Sequence, residues 1–158
     1  MVPQDLHAGQ LVDRVGVAMG LPFPSGPHLE TLARQGNAKA LVPVSMDEKS
    51  LQCHLSGAEA QLMRMIQKEE NPNDIAAEVY SILCRTVLRL LKAAADQTGT
   101  DEILLAGGVM SSSLLREMLL ERNEKRRLQL HLHFGKPEYS GDNAVGVALI
   151  GLEKLQGG

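Results

Sequence analysis

Apolar residues along this chain recur with two periods, one near 3.6 and one near 2, and the switches between them divide it into helices and short extended segments. Leu11, Val12, Val15, Ala18 and Met19 share one face of a helix predicted over 9–19, which Gly20 is placed to end. Residues 21–27, Leu-Pro-Phe-Pro-Ser-Gly-Pro, hold three prolines and a glycine, the composition of an ordered but non-repetitive loop ahead of a short helix over 28–35 that Gly36 stops. Residues 41–46 read as extended, and 51–55 as a short strand turning at Ser56-Gly57 into a helix to about residue 68, with Ser56 as its cap. The strongest helix signal follows. Asn71 fits the N-cap, Pro72 the first helical position and Asp74 the first turn, and Ile75, Val79, Ile82, Leu83, Val87, Leu90, Leu91 and Ala94 make a continuous stripe.

After Gly99 the pattern predicts a strand over 102–106, a helix over 112–122 and an alternating strand over 128–134. Strand, helix, strand implies a parallel crossover. A turn at Gly141-Asp142-Asn143 and a helix over 144–155 complete the reading, with Gly146 and Gly151 allowing close packing.

The run Ile103 to Arg116, I-L-L-A-G-G-V-M-S-S-S-L-L-R, carries the most chemistry. Gly107 and Gly108 join a strand to a helix, and two residues without Cβ atoms can take positive φ while the helix start offers free N–H groups. That is the layout of a phosphate-cradling turn. Taken alone, the same layout serves as an ordinary α/β connection.

Length and composition narrow the classes. A chain of 158 residues with 44% hydrophobic content is one domain with a core of its own. Two Phe, two Tyr and no Trp exclude an aromatic base-stacking platform, and a net charge of −3 gives no overall attraction for nucleic acid or anionic membrane. Cys53 and Cys84 lack C-x-x-C spacing and read as reduced thiols, Cys84 as a packed helix residue. With no apolar run of membrane-spanning length and no signal-peptide pattern at the N-terminus, the expected location is the cytoplasm.

Three further groups have two readings each. His131 and His133, two apart on a strand, share a side and have metal-ligand geometry, but Leu128, Leu130, Leu132 and Phe134 define the buried face and turn the histidines to solvent. Lys125, Arg126 and Arg127 suit RNA phosphate, yet follow a helix end where cations stay solvated. Asp142 reads as a metal-ligand carboxylate or as an N-cap.

Taken in order, the motifs G-Q-L-V-D-R-V-G-V-A-M-G-L-P-F-P-S-G-P at 9–27, L-S-G-A-E at 55–59, D-I-A-A at 74–77, L-A-G-G-V at 105–109 and G-D-N-A at 141–144 resemble the tRNA adenosine threonylcarbamoyltransferase family, formerly called the O-sialoglycoprotein endopeptidase or glycoprotease family. Spaced motifs in one order are more specific than any single match. The resemblance implies a fold class of α/β type: part of the C-terminal lobe of the actin, Hsp70 and sugar-kinase (ribonuclease H-like) fold, helix-rich with a small sheet. On this reading residues 1–158 form a single domain lacking the N-terminal lobe, and with it the H-x-x-x-H helix that supplies two metal-binding histidines.

Residue by residue, the resemblance assigns Asp13 to the ribose or adenylate, Gly26 to the loop beside it, Gly107 and Gly108 to the glycine pair under the nucleotide, and Asp142 to the metal. Ser112 stands where the family has a nucleotide-contacting asparagine, Gln10 replaces a glutamate, Arg14 a lysine, and Glu59 the lysine of S-G-L-K. That last exchange reverses a charge expected to meet phosphate, and points to a divergent paralogue. The cofactors implied for a full-length parent are a divalent metal, iron or zinc, and ATP or threonylcarbamoyl-adenylate. The implied partners are adenine nucleotide, tRNA and other subunits of the tRNA modification pathway. Two functions follow: the C-terminal nucleotide-binding lobe of a transferase that moves threonylcarbamoyl from its adenylate to tRNA adenosine, or a non-catalytic paralogue that pairs with another protein. No H-E-x-x-H supports peptidase chemistry. The isolated chain is expected to lack transferase activity, to hold no cofactor stably, and to form a homodimer through apolar surface near residues 21–24 or the strand beginning at Leu51.

Overall fold

A computed structural model describes residues 3–5, 8–40, 42–136, 146–148 and 150–151, with side chains for 8–40 and 42–136. The described protein is mixed α/β and helix-rich, in the order β1 (Pro3–Asp5), α1 (Ala8–Ala18), α2 (Gly26–Ala33), β2 (Ser45–Asp47), β3 (Gln52–His54), α3 (Ser56–Gln67), α4 (Pro72–Thr98), β4 (Glu102–Leu105), α5 (Ser113–Lys125), β5 (His131–Phe134), β6 (Gly146–Ala148) and β7 (Ile150–Gly151).

The core is built on α4. Its amphipathic stripe is buried as expected, and from Ile75 to Cys84 every residue is buried, so here the helix is surrounded on all sides. The side chain of Asn71 accepts from the Asn73 N–H at 2.9 Å, Pro72 takes the first position, and Gly99 closes the helix in the left-handed conformation at φ 73°. The polar residues on the buried surface are satisfied within it. Thr86 donates to the Ile82 carbonyl at 2.7 Å, and Glu78, 2% exposed, accepts from the Ala40 and Val42 N–H groups and pairs with Arg85 at 3.5 Å. Arg85 also donates to the Val42 carbonyl, so one partly buried ion pair ties Ala40 and Val42 to α4.

β4 and β5 pair in parallel, with Glu102 opposite His131 and Leu105 opposite Phe134, as the crossover required. β7 joins the other edge of β4 antiparallel, β1 pairs with β6, and β2 with β3 as a hairpin. The strand at 128–134 is shorter than its alternation predicts. Asn123 bonds both the N–H and the carbonyl of Leu130, and Arg127 and Gln129 take positive φ, so pairing begins only at His131.

Two expectations are corrected. Residues 146–148 and 150–151 are strands and not part of a helix over 144–155: glycine at 146 and 151 weakens a helix, β-branched Val147 and Ile150 suit strands, and the edge of β4 offers unpaired backbone groups. Ser56 is the first helical residue of α3, and its hydroxyl makes no cap bond; Leu55 occupies the cap position.

α1 packs against the proline loop at Gly16, where a Cβ would lie 2.2 Å from the Ser25 Cβ. Ser25 is fully buried, and its hydroxyl donates to the Pro22 carbonyl at 3.0 Å. Gly16→Ala is therefore expected to cost about 1–3 kcal/mol, as overpacking does, and to displace the loop. Chemical denaturation with backbone amide spectra checks this: the shift changes should concentrate at residues 22–27.

Candidate functional site

The site is assembled from four segments distant in sequence. Asp13 projects from the second turn of α1, Gly26 opens α2, and Glu30 lies one turn further along α2. Tyr80 comes from the buried part of α4, and Gly108 and Ser112 bracket a 3₁₀ turn (Val109–Ser111) between β4 and α5. These six residues line one cavity of about 270 Å³, with Val12, Pro24, Pro27 and Val109 supplying an apolar wall. It is the right kind of recess for a small organic ligand: mostly apolar, with a few converging polar groups.

The Asp13 carboxylate is partly committed. One oxygen accepts from the Ser25 N–H at 2.9 Å and pins the proline loop to α1. The Tyr80 hydroxyl donates to the Gly26 carbonyl at 3.2 Å. Burial and the nearby Glu30 carboxylate both push that phenol well above its ordinary range, so it remains a neutral donor.

Glu30 is the centre of the polar network. It accepts from the Ser112 hydroxyl at 2.8 Å, the Ser113 hydroxyl at 2.7 Å, the Leu114 N–H at 3.0 Å and Arg34 at 3.1 Å. Arg34 continues to Ser113 and to both oxygens of Glu117. Burial by itself would raise the Glu30 carboxyl, but the bonds from Ser113, Ser112, Leu114 and Arg34 outweigh it and hold the group below its usual 4.5.

This arrangement changes the reading of the glycine turn. Gly107 has φ 119° and needs glycine there, while Gly108 has helical angles, φ −60°, ψ −41°. A Cβ on Gly108 would meet no atom within 4 Å, so the residue faces open space along the cavity. The start of α5 is not an open anion site. Ser112 caps it by accepting from the Leu115 N–H at 3.2 Å, and the Glu30 carboxylate takes the Leu114 N–H, so an internal anion already sits where phosphate was expected. Asp13 and Glu30 both line the recess, which makes its polar side acidic.

The other candidates fall elsewhere. Asp142 lies outside the described residues. Glu59 is not among the cavity residues: it pairs across 3.3 Å with Arg14, so two of the positions that depart from the family pattern neutralise each other on the surface. His131 and His133 are exposed, as the alternation required, while Leu132 and Phe134 pack on the core. Among the described residues, the acid and histidine side chains close enough to share an ion are Asp101, Glu102 and His131, at the far end of β4 from the cavity. Burial pushes both cysteine thiols up to about 11, so neither is an activated nucleophile. Sequence reasoning missed Glu30 and Tyr80, whose partners lie 82–84 and 54 residues away.

The fold and cavity define a helix-rich α/β protein with a recess of about 270 Å³ between α1, α2, α4 and the β4–α5 turn. Residues 3–149 match the family model described as TsaD: tRNA N6-adenosine threonylcarbamoyltransferase. The chain belongs to this family. The tRNA N6-adenosine threonylcarbamoyltransferase of Moorella thermoacetica is 35% identical over 156 residues, covering 94% of this chain and 44% of that protein. The protein of the same name from Cytophaga hutchinsonii is 30% identical, over 96% of this chain and 46% of that protein. A probable bifunctional tRNA threonylcarbamoyladenosine biosynthesis protein of Thermoplasma volcanium is 29% identical over 98% of this chain and 28% of its own length. The chain thus spans about half, or less, of the curated relatives it matches. Among the described residues, no helix is long and apolar enough to cross a membrane.

The network predicts a pH signature. Because folding lowers the Glu30 pKa, its stabilisation is present in full above the unfolded value of 4.5 and is lost as pH falls through the lower folded value. Glu30→Gln should cost about 1–3 kcal/mol at pH 7, since it removes charge-assisted bonds, and progressively less below pH 4.5. Urea unfolding of both proteins between pH 7 and pH 3 measures the convergence.

Proposed function

We propose that this chain is the C-terminal, nucleotide-binding lobe of a threonylcarbamoyltransferase-type protein with the actin-like fold, and that the recess bounded by Asp13, Gly26, Glu30 and Gly108 receives the adenosine part of ATP or threonylcarbamoyl-adenylate. The observation that carries this reading is the convergence of Asp13, Gly26, Gly108 and Ser112 on one cavity, from positions spread over a hundred residues of chain. Carboxylates accept bonds from ribose hydroxyls and the adenine amine, and the unobstructed backbone at Gly108 lets a flat ring approach closely. In the parent, Asp142 would help to hold a divalent metal, which when bound would supply Lewis-acid activation of the acyl donor, and the acceptor would be the adenosine amine of a cytoplasmic tRNA.

A second reading, a non-catalytic paralogue that pairs with other proteins of tRNA modification, has one specific support. The Ser112 hydroxyl, at the family's asparagine position, is already engaged with Glu30 and Leu115. One titration separates the two. With ATP added to the isolated chain, amide shifts should appear at Gly26, Gly108 and Ser112 with a dissociation constant near ~1 mM, roughly −4 kcal/mol. Asp13→Asn keeps an acceptor for Ser25 and should weaken the effect several-fold. Ser112→Asn, also a good N-cap, should strengthen it if divergence at this position has reduced affinity. Shifts confined to residues outside the cavity would overturn the nucleotide reading and favour the paralogue.

Self-association belongs to the same proposal. Phe23 is 69% exposed and Val17 52%, an apolar surface on the proline loop and α1, whereas Leu51, the other candidate, is buried. Light scattering is expected to give twice the 17.1 kDa chain mass, reverting to one chain in Phe23→Ser.

A further inference from the structure

We propose that Asp101, Glu102, His131 and His133 form a surface site for a divalent transition-metal ion, zinc by preference, at the end of the sheet opposite the cavity. The backbone assembles it. Parallel pairing sets Glu102 opposite His131, and the strand period returns His133 to the same face two residues on. The starts of β4 and β5 thereby bring the Asp101 and Glu102 carboxylates and the His131 imidazole together from segments about 30 residues apart, with His133 two residues further along β5.

Three of the four groups already stand within reach of one ion, and His133 joins them by rotating from its bond to Glu102. One ligand atom from each of Asp101, Glu102 and His131 lies within 4.8 Å of the others. The His131 Nε2 is 3.6 Å from the Asp101 Oδ2, and the His133 Nε2 is 2.6 Å from the Glu102 Oε2. Four ligands tetrahedrally placed about 2.0–2.1 Å from zinc sit roughly 3.3 Å apart, between those two separations. Rotation is open to these side chains, because His131 is 62% exposed, Asp101 58% and His133 52%.

The donor set selects the ion. Two imidazole nitrogens with two carboxylate oxygens suit zinc, and also nickel and copper, far better than calcium or magnesium, which take oxygen ligands alone. Bound there, the ion clamps the start of β4 to the start of β5. The site shares no residue with the cavity around Glu30 and does not depend on the nucleotide reading.

The test is a calorimetric titration of the metal-free 158-residue chain with zinc chloride, with magnesium chloride as comparison. Nitrogen-15 spectra of the histidine side chains are recorded in parallel. The expected result is one zinc bound with perturbation of the His131 and His133 rings, an affinity at least tenfold lower in His131→Ala and in His133→Ala, and no corresponding magnesium site. Melting temperature should rise with zinc in the parent protein and stay fixed in the double variant. Both histidines are exposed, so the metal-free variants should melt with the parent, which separates lost ligation from lost folding. Absence of zinc binding, or binding unchanged in the double histidine variant, overturns the proposal.

Discussion

The described molecule depends on the burial of α4. A helix of 27 residues with one apolar face would ordinarily lie on a surface, but the part from Ile75 to Cys84 is enclosed, and α1, α2, α3 and α5 all rest on it. Enclosure requires close approach, and Gly36 shows how close: a Cβ there would lie 1.9 Å from the Asn73 carbonyl. It also requires that the helix's own polar groups be satisfied internally. Glu78 is the severe case, because an unpaired buried carboxylate is strongly destabilising. Its bonds to Ala40, Val42 and Arg85 turn that liability into the fastening of a loop.

The recess follows from this packing. Because α2 is laid on α4, the Tyr80 hydroxyl reaches the Gly26 carbonyl, and because α2 ends near the start of α5, Glu30 can cap a helix more than eighty residues away in sequence. The wall is thus rigid at its base through apolar contact and fixed at its rim by charge-assisted hydrogen bonds. Arg116 braces the other side. Its guanidinium donates to the Gly135 carbonyl at 3.0 Å and stacks 5.1 Å from the Phe134 ring centre, linking α5 to the end of β5. The turn through Gly107 and Gly108 is consequently held at both ends.

Much of this was legible in the residues, for reasons that differ by element. α4 was readable because its cap, first-turn proline and long stripe all point to the same answer. The parallel pairing of β4 and β5 followed from chain order alone. What failed depended on partners that no local pattern reveals. Ser56 looks like a cap, yet the helix begins one residue earlier. The alternation at 128–134 looks like one strand, yet Asn123 reaches across from α5 and bends its first half away. Glu30 sits in a short helix with nothing to mark it, and only tertiary contact makes it the most connected polar side chain of the site.

Glu30 also decides what a glycine turn means. A strand, two glycines and a helix suggest phosphate because the helix start is electropositive and its N–H groups are free. Here the Leu114 and Leu115 N–H groups are taken by Glu30 and Ser112, so the helix start offers a phosphate fewer free donors than the motif promises. The turn therefore serves shape, through Gly107's positive φ and the open space beside Gly108.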